Sequence, residues 1–513
     1  MESTKIIILC TIVAYLAMMV VIGIVYSRKN HSAGDFYLGG RTLGPIVTAM
    51  SAEASDMSSY LIMGLPGLAY FSGASEVGWT IIGLFIGTYL NWLLVAKRLR
   101  IYSQKTGSIT VPDFFSDRYR DKKHVLMGVS ALIILIFFIP YTGSGFAACG
   151  KLFTSLFGLD YHVAMIISAV VIVAYTSLGG FLAASTTDLI QSIVMTLALG
   201  VLVVYGVDHA GGVGAVLDNA KSLQGYLSLT QGYDETTGTA SPFGFLSIIS
   251  TLAWGLGYFG MPHILLRFMA IRDKNEVKLS RRIASVWVLI SMFVAMFIGF
   301  IGRVLSANGF LRTFEGNSDA ETLVIECANK MSENGVFLIL MAGLIFAGIL
   351  ACTMSSSDSQ LLAASSSVSE NIIGGVFGKK LSEKQAMLTA RIVVLVIAVL
   401  GVVIAWNPDS SVFRVVSFAW AGFGATFGPV MLAALFWKRS NRYGAIAGMA
   451  AGAVMVFLWK FVISKLSPVL NIYELLPAFV VAAIVIVVVS LLTAEPEQEI
   501  SAEFEAVQVE MKA

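Results

Sequence analysis

Long apolar blocks separated by short polar stretches run through almost the whole chain. A helix that crosses a bilayer needs roughly 20 apolar residues. Thirteen segments meet that pattern: residues 5–26, 43–72, 77–97, 125–149, 158–178, 183–207, 243–266, 284–306, 335–371, 386–406, 412–437, 443–464 and 473–493. Two of them break their own pattern. The middle of 43–72 reads Ser51-Ala52-Glu53-Ala54-Ser55-Asp56-Met57-Ser58-Ser59, two carboxylates and four hydroxyls at bilayer depth. Such groups are costly in hydrocarbon and persist mainly where they line an ion or substrate path. In 243–266 the run Gly255-Leu256-Gly257-Tyr258-Phe259-Gly260-Met261-Pro262 puts three glycines and a proline into eight residues. An ideal helix does not hold them all comfortably. Five segments separate the starts of these two, and paired broken helices at matching places in two halves predict an inverted-repeat transporter.

Composition agrees. Of 513 residues 57% are hydrophobic and 13% charged, with mean hydropathy +0.81, which describes an all-α polytopic membrane protein rather than a soluble enzyme. With the N-terminus outside, 25 of the 34 lysines and arginines fall on the cytoplasmic side, among them Arg28, Lys29, Arg41, Arg267 and Lys380. This excess predicts an N-out, C-in arrangement with an odd number of spans. The first segment is long and lacks a small-residue cleavage site, so it is expected to remain as a helix. Cys10, Cys149, Cys327 and Cys352 are scattered and suggest neither disulfides nor a metal site, and the five histidines form no ligand cluster. Residues 1–493 form one transmembrane unit. The outer loop 208–242 has room for a short helix, the cytoplasmic stretch 98–124 carries an interfacial turn at Val111-Pro112-Asp113-Phe114-Phe115, and the acidic tail 494–513 is expected to be mobile.

Unwinding 43–72 would free backbone carbonyls for a hard cation and N–H groups for an anionic solute, with Ser58 and Ser59 adding hydroxyls. Serines that merely back-bond within a helix are the plainer alternative. A second cluster, Cys352-Thr353-Met354-Ser355-Ser356-Ser357-Asp358-Ser359-Gln360, places Ser355 and Ser359 on one face with Ser356 beside it. Hydroxyls and carbonyls without a full set of carboxylates suit a monovalent cation; tight helix packing through small residues is the alternative. Asp188 lies near the start of its segment, either as a partner for the helix dipole or as an ion ligand. Tyr141, Trp254, Tyr258 and Pro262 stand where a small solute needs apolar walls, although core packing explains any one of them. Arg267 reads most simply as a topology charge at a helix end, with a gate role as the alternative.

Several blocks together resemble the sodium:solute symporter family, most closely its bacterial proline-transporting branch. They are Leu38-Gly39-Gly40-Arg41-Thr42-Leu43-Gly44-Pro45, Ala54-Ser55-Asp56-Met57-Ser58, Met63-Gly64-Leu65-Pro66-Gly67, Leu178-Gly179-Gly180-Phe181-Leu182-Ala183, Trp254-Gly255-Leu256-Gly257-Tyr258-Phe259-Gly260 with Pro262-His263, and Trp420-Ala421-Gly422-Phe423-Gly424. The resemblance covers about residues 35–490 and implies a LeuT-type 5+5 inverted repeat, 43–207 and 243–437, with one helix before and two after. It implies a multi-pass cell-membrane transporter that couples inward Na⁺ movement to uptake of L-proline by alternating access. It also implies a sodium site made by the carbonyls of Ala54, Met57 and Cys352 and the hydroxyls of Ser355 and Ser356, with Asp56 serving sodium coupling. Ser58, Ser59, Tyr141, Trp254, Tyr258 and Pro262 would meet the substrate. A second sodium would sit at Asp188, Ser355, Asp358 and Ser359. Glu53 and Ser59 stand where the proline-transporting branch has glycine, Ser356 where it has threonine, and Asp358 adds a carboxylate that relatives usually lack.

The rival readings are a Na⁺ symporter of the same family for another amino acid, a sialic acid, a sugar or a vitamin; a transporter-like sensor; and a channel. Only about 20 residues follow 493, which leaves no room for a signalling domain. No convergent Cys/His or Ser/His/Asp set and no Rossmann-type strand suggest an enzyme. Na⁺ and membrane lipid are the expected partners beside the solute, with no organic cofactor, nucleic acid or obligate protein partner.

Overall fold

The computed structural model describes residues 2–27, 33–235, 237–379 and 381–512. Arg28, Lys29 and Lys380 of the expected cytoplasmic charge set lie outside the described residues. Among the described residues ten helices are long and apolar enough to cross a membrane, and eleven if the bent pair Phe245–Gly260 and Pro262–Ala270 counts as one span. The two other expected spans are present as broken helices. Residues 43–72 form helix Pro45–Ser59, a π-helical turn Tyr60–Gly64 and helix Leu65–Ser72. Residues 158–178 are the first part of the long helix Tyr161–Ala210, which Gly180 divides by adopting φ 64°.

The first break falls at Ser58, a non-glycine residue held at φ 47° and ψ −170°. That backbone region is strained for any residue with a Cβ, and such strain persists where surrounding structure enforces it. The second break is a 3₁₀ stretch, Ala253–Gly260, after helix Phe245–Leu252; Met261 is extended and Pro262 opens the next helix, with a 47° bend between the pair. Proline suits that first helical position because its missing N–H is not needed there. A Cβ at Gly257 would fall on the Trp420 ring, so only glycine lets the 3₁₀ stretch approach helix Val412–Phe436.

The two broken helices are tied at one end. Leu43 pairs with Ile271 in a parallel bridge through Leu43 N to Ala270 O (3.2 Å) and Arg272 N to Leu43 O (2.9 Å). Arg41 staples the same corner by donating to Met269 O (2.6 Å), Ser103 O (2.9 Å) and Ser108 O (2.7 Å). The apolar faces of the broken helices pack against Val336–Ser366, Tyr161–Ala210 and Val412–Phe436.

One loop expectation is met and extended, and the expectation of a mobile tail is corrected. The segment 208–242 holds helix Val213–Ser222 and also a β-hairpin, Gln231–Asp234 paired antiparallel with Thr239–Pro242. The acidic tail is an ordered helix, Gln498–Lys512, with Ile500, Phe504 and Val507 buried. It lies along helix Lys97–Thr106, where Arg98 donates to Gln508 (2.7 Å), and Arg120 pairs with Glu503 (2.6 Å).

Candidate functional site

Ala54 and Met57 lie just before the break at Ser58, and Cys352, Ser355 and Ser356 lie in the middle of helix Val336–Ser366. The structure brings these two stretches together. Ser355 Oγ reaches Ala54 O at 2.8 Å and Cys352 O at 3.1 Å, and Ser356 Oγ reaches Cys352 O at 3.2 Å. Met57 O takes the Tyr60 amide at the break. Two helices therefore supply neutral carbonyl and hydroxyl oxygens to one buried spot, a donor set that fits a weakly held monovalent cation. Among the described residues no group of three or more His, Cys, Asp or Glu side chains could hold a metal.

Asp56 sits beside this spot and lines a narrow cavity together with Met57, Tyr60, Leu84, Tyr141, Trp254, Met292, Val416 and Trp420. Tyr258 donates to Asp56 Oδ2 at 2.5 Å and Tyr141 to Asp56 O at 3.1 Å. Trp420 Nε1 donates to Trp254 O at 2.8 Å, and Tyr473 stacks on the Trp254 ring at 5.0 Å, which fixes that wall. Of the expected substrate residues, Tyr141 and Trp254 line the cavity. Tyr258 reaches it through Asp56. Ser58 caps the break by accepting from Tyr60 N at 3.2 Å, and Ser59 Oγ is buried without a partner. Pro262 lies one step beyond, opening helix Pro262–Ala270. Tyr60 and Trp420 were not picked out by composition; Trp420 sits in a Gly-rich block whose glycines mark close packing.

A second polar cluster surrounds Ser51. Arg267, expected at a surface, is 1% exposed and donates to Ser51 Oγ (3.0 Å), Asp188 Oδ2 (3.0 Å), Ser359 Oγ (2.5 Å) and His263 O (2.9 Å). Its reading as a topology charge is therefore corrected: the guanidinium is the counter-ion of a buried acid, because a buried carboxylate requires pairing. Asp188 is likewise no dipole partner; it lies in the second turn after the Gly180 break and also accepts from Ser51 Oγ at 2.6 Å. Asp358 Oδ1 accepts from Ser359 Oγ at 3.2 Å, while Asp358 Oδ2 and Asp188 Oδ1 have no partner. Asp188, Asp358 and Ser359 thus come together, but around an arginine; Ser355 belongs to the first cluster.

Residues 36–452 match the model of the sodium:solute symporter family. The sodium/proline symporter of Staphylococcus aureus is 39% identical over 492 residues, covering 94% of this chain and 92% of the relative. That of Staphylococcus aureus strain USA300 is 40% identical over 493 residues with the same coverage. Among solved structures, a substrate-bound, outward-open Na⁺-coupled sialic acid symporter superposes with TM-score 0.77 at 18% identity, over 96% of this chain and 99% of the other. MhsT in complex with L-phenylalanine gives TM-score 0.52 at 15% identity, over 87% of this chain and 98% of the other. At these identities the structural likeness establishes the fold alone, the LeuT-type helical architecture that the family resemblance implies.

Proposed function

The chain belongs to the sodium:solute symporter family, a family of membrane transporters and not of enzymes, and we propose that it draws L-proline inward on the downhill movement of Na⁺ by alternating access. The observation that carries this reading is the convergence of Ala54 O, Cys352 O, Ser355 Oγ and Ser356 Oγ beside a cavity that Asp56 and Trp254 line. The relatives' names favour proline as the solute, and the aromatic side chains beside Asp56 suit an apolar ring.

Residues 43–207 and 243–437 act as the two inverted repeats, with one span before and two after, and the N-terminus outside. Na⁺ arrives first and draws the break at Ser58 against helix Val336–Ser366, with Met57 O adding a ligand. The Ser58 and Ser59 hydroxyls beside the break hold the solute carboxylate. The ring packs on Tyr141 and Trp254, while Tyr258 and Pro262 shape the wall from the second broken helix. Closure of the outer side then precedes opening of the inner side. A tenfold Na⁺ gradient supplies about 1.4 kcal/mol and 100 mV adds about 2.3 kcal/mol per charge. The sum, roughly 3.7 kcal/mol, sustains a few-hundred-fold accumulation at one Na⁺ per solute. Asp188, Asp358 and Ser359 form the candidate second cation site, with Arg267 already seated against it.

Radiolabelled L-proline uptake into proteoliposomes, with and without an inward Na⁺ gradient, tests the reading. Na⁺-dependent accumulation supports both ion and solute. Absence of uptake, together with Na⁺-dependent thermal stabilisation by another solute, moves the substrate assignment to that solute.

A further inference from the structure

A groove of about 820 Å³ opens on the flank of the helix bundle, and no residue of either polar cluster lines it. Its walls are helix Val277–Ala307 and the part of helix Tyr161–Ala210 that follows the Gly180 break. These two stretches run in the same direction. Trp287 Nε1 donates to Thr196 Oγ1 at 3.0 Å, and further along both helices Gly206 lies against Ile301. Leu199, Val203, Val286, Ile290 and Val294 line the groove, with Val286 58% and Ile290 57% exposed. Gly200 keeps it open, because a Cβ there would meet nothing within 4 Å. Met50 of the first broken helix adds to the wall, one turn before Ala54.

The hydroxyls in this wall are already engaged. Thr196 Oγ1 donates to Ser192 O at 2.7 Å while it accepts from Trp287, and Ser291 Oγ donates to Val288 O at 3.2 Å. A polar solute would therefore gain little along the groove, whereas a hydrocarbon chain loses nothing there. One end differs. Arg282 lines the mouth, is exposed, and makes no hydrogen bond or ion pair among the described residues. Lys278, one turn earlier on the same face, is exposed and equally unpaired. The acid next to it in sequence, Glu276, is taken by Arg272 at 2.6 Å.

Length adds a constraint. Twelve residues separate Arg282 from Val294, about 18 Å along the axis at 1.5 Å per residue. Half of a ~30 Å hydrocarbon core is about 15 Å. With the N-terminus outside, the Arg282 end faces the cytoplasm, so the groove runs from the inner headgroup level to about the bilayer midplane. Anionic lipids gather in that leaflet and are drawn to basic residues at its surface. An uncharged lipid would leave both cations unused.

We propose that this groove binds one anionic phospholipid of the inner leaflet, with an acyl chain against Leu199, Val203, Ile290 and Val294 and the phosphate against Arg282 and Lys278. The seated chain also packs on Met50 and so buttresses the helix that carries Ala54. The site depends on the orientation proposed above and not on the identity of the ion or the solute.

The test mixes the full chain in mild detergent with dioleoyl phosphatidylglycerol or dioleoyl phosphatidylcholine, which have identical chains, and counts retained lipid by native mass spectrometry. The wild type is expected to retain one phosphatidylglycerol in preference to phosphatidylcholine and to unfold at a higher temperature with it. Inorganic phosphate is expected to give no such rise. Arg282→Gln is expected to lower the preference about fivefold, and Lys278→Gln by a similar factor. Gly200→Leu puts a side chain into the groove and is expected to abolish retention; leucine is the better helix former, so the helix itself is kept. Equal retention of the two lipids by the wild type overturns the proposal and leaves ordinary lipid solvation of an apolar face. A preference that survives unchanged in Arg282→Gln and Lys278→Gln overturns it, as does retention that survives in Gly200→Leu. An equal thermal rise with inorganic phosphate overturns the lipid assignment. A wild-type dimer that Gly200→Leu dissolves makes a second copy the occupant and overturns it too. Proline uptake is measured separately, so a failed solute assignment leaves these outcomes unchanged.

Discussion

Helix Pro45–Ser59 carries two buried polar clusters that balance charge in opposite ways. At Ser51 the acid Asp188 meets the guanidinium of Arg267 at 3.0 Å, and Ser359 and His263 O complete the arginine's bonds. At Glu53 and Asp56, less than two turns further on, every partner is a neutral hydroxyl or indole. In the first cluster Asp188 has a fixed counter-ion, and the contacts hold the helix to Tyr161–Ala210 and Val336–Ser366. The second has no positively charged partner among the described residues, so a cation arriving there would supply the charge it lacks. A transporter needs both: a fixed anchor, and an adjacent place where the arrival of charge changes what is stable.

The largest effect is expected at the anchor. Arg267→Ala leaves Asp188 buried without its counter-ion, and breaking one side of a buried pair costs about 3–5 kcal/mol. Thermal unfolding in detergent should show a large drop in midpoint. Arg267→Ala combined with Asp188→Asn should recover part of it, because the two side chains are directly coupled. Equal losses in Arg267→Ala and in the double variant would erase the distinction between a locked and a loadable cluster.

At the second cluster, function should fail before stability does. Asp56→Ala is expected to abolish Na⁺-stimulated uptake, while the orphaned Tyr258 hydroxyl costs only about 1–3 kcal/mol. Wild-type Na⁺ dependence in that variant would remove Asp56 from the coupling. Ser355→Ala and Ser356→Ala each take away one neutral ligand, and about 1.4 kcal/mol corresponds to a tenfold rise in the apparent KM for Na⁺. Ser355 contacts both Ala54 O and Cys352 O, so its loss should be the more severe. An unchanged KM for Na⁺ in both variants moves the sodium site elsewhere.

The second cluster was far more legible in the sequence than the first. Glu53, Asp56 and the serines stand out because polar residues interrupt an apolar run, a local signal. Cys352, Ser355 and Ser356 carry the same kind of signal, and the motif resemblance joins the two stretches. Arg267 gives no such signal. An arginine near the end of an apolar segment looks like any topology charge until its partner is known, and Asp188 lies 79 residues away in the chain. Ser58 was visible as a hydroxyl but not as the break, since its positive φ is imposed by tertiary contacts and serine has no preference for it. The hairpin in 208–242 was missed because two four-residue strands have too little alternation to read.

The tail was misread for the opposite reason: its charge hid its pattern. Ile500, Phe504 and Val507 recur at helical spacing and share a buried face, yet the glutamates from Glu495 to Glu510 dominate the composition. These acids meet the basic end of the molecule, with Arg120 on Glu503 and Lys105 and Lys274 on Glu510. Exposed pairs of this kind contribute about 0–1 kcal/mol each and weaken in salt. The buried ring of Phe504, against the Arg118 guanidinium at 5.3 Å, holds the helix more strongly. Arg120→Gln is therefore expected to leave the unfolding midpoint nearly unchanged. Phe504→Ala should release the tail, read as faster amide exchange over residues 498–512, with Na⁺ affinity unaltered because among the described residues the tail's polar contacts lie at the basic end of the molecule and not at either polar cluster. A matching rise in exchange in Arg120→Gln would mean that charge, and not the apolar face, docks this helix.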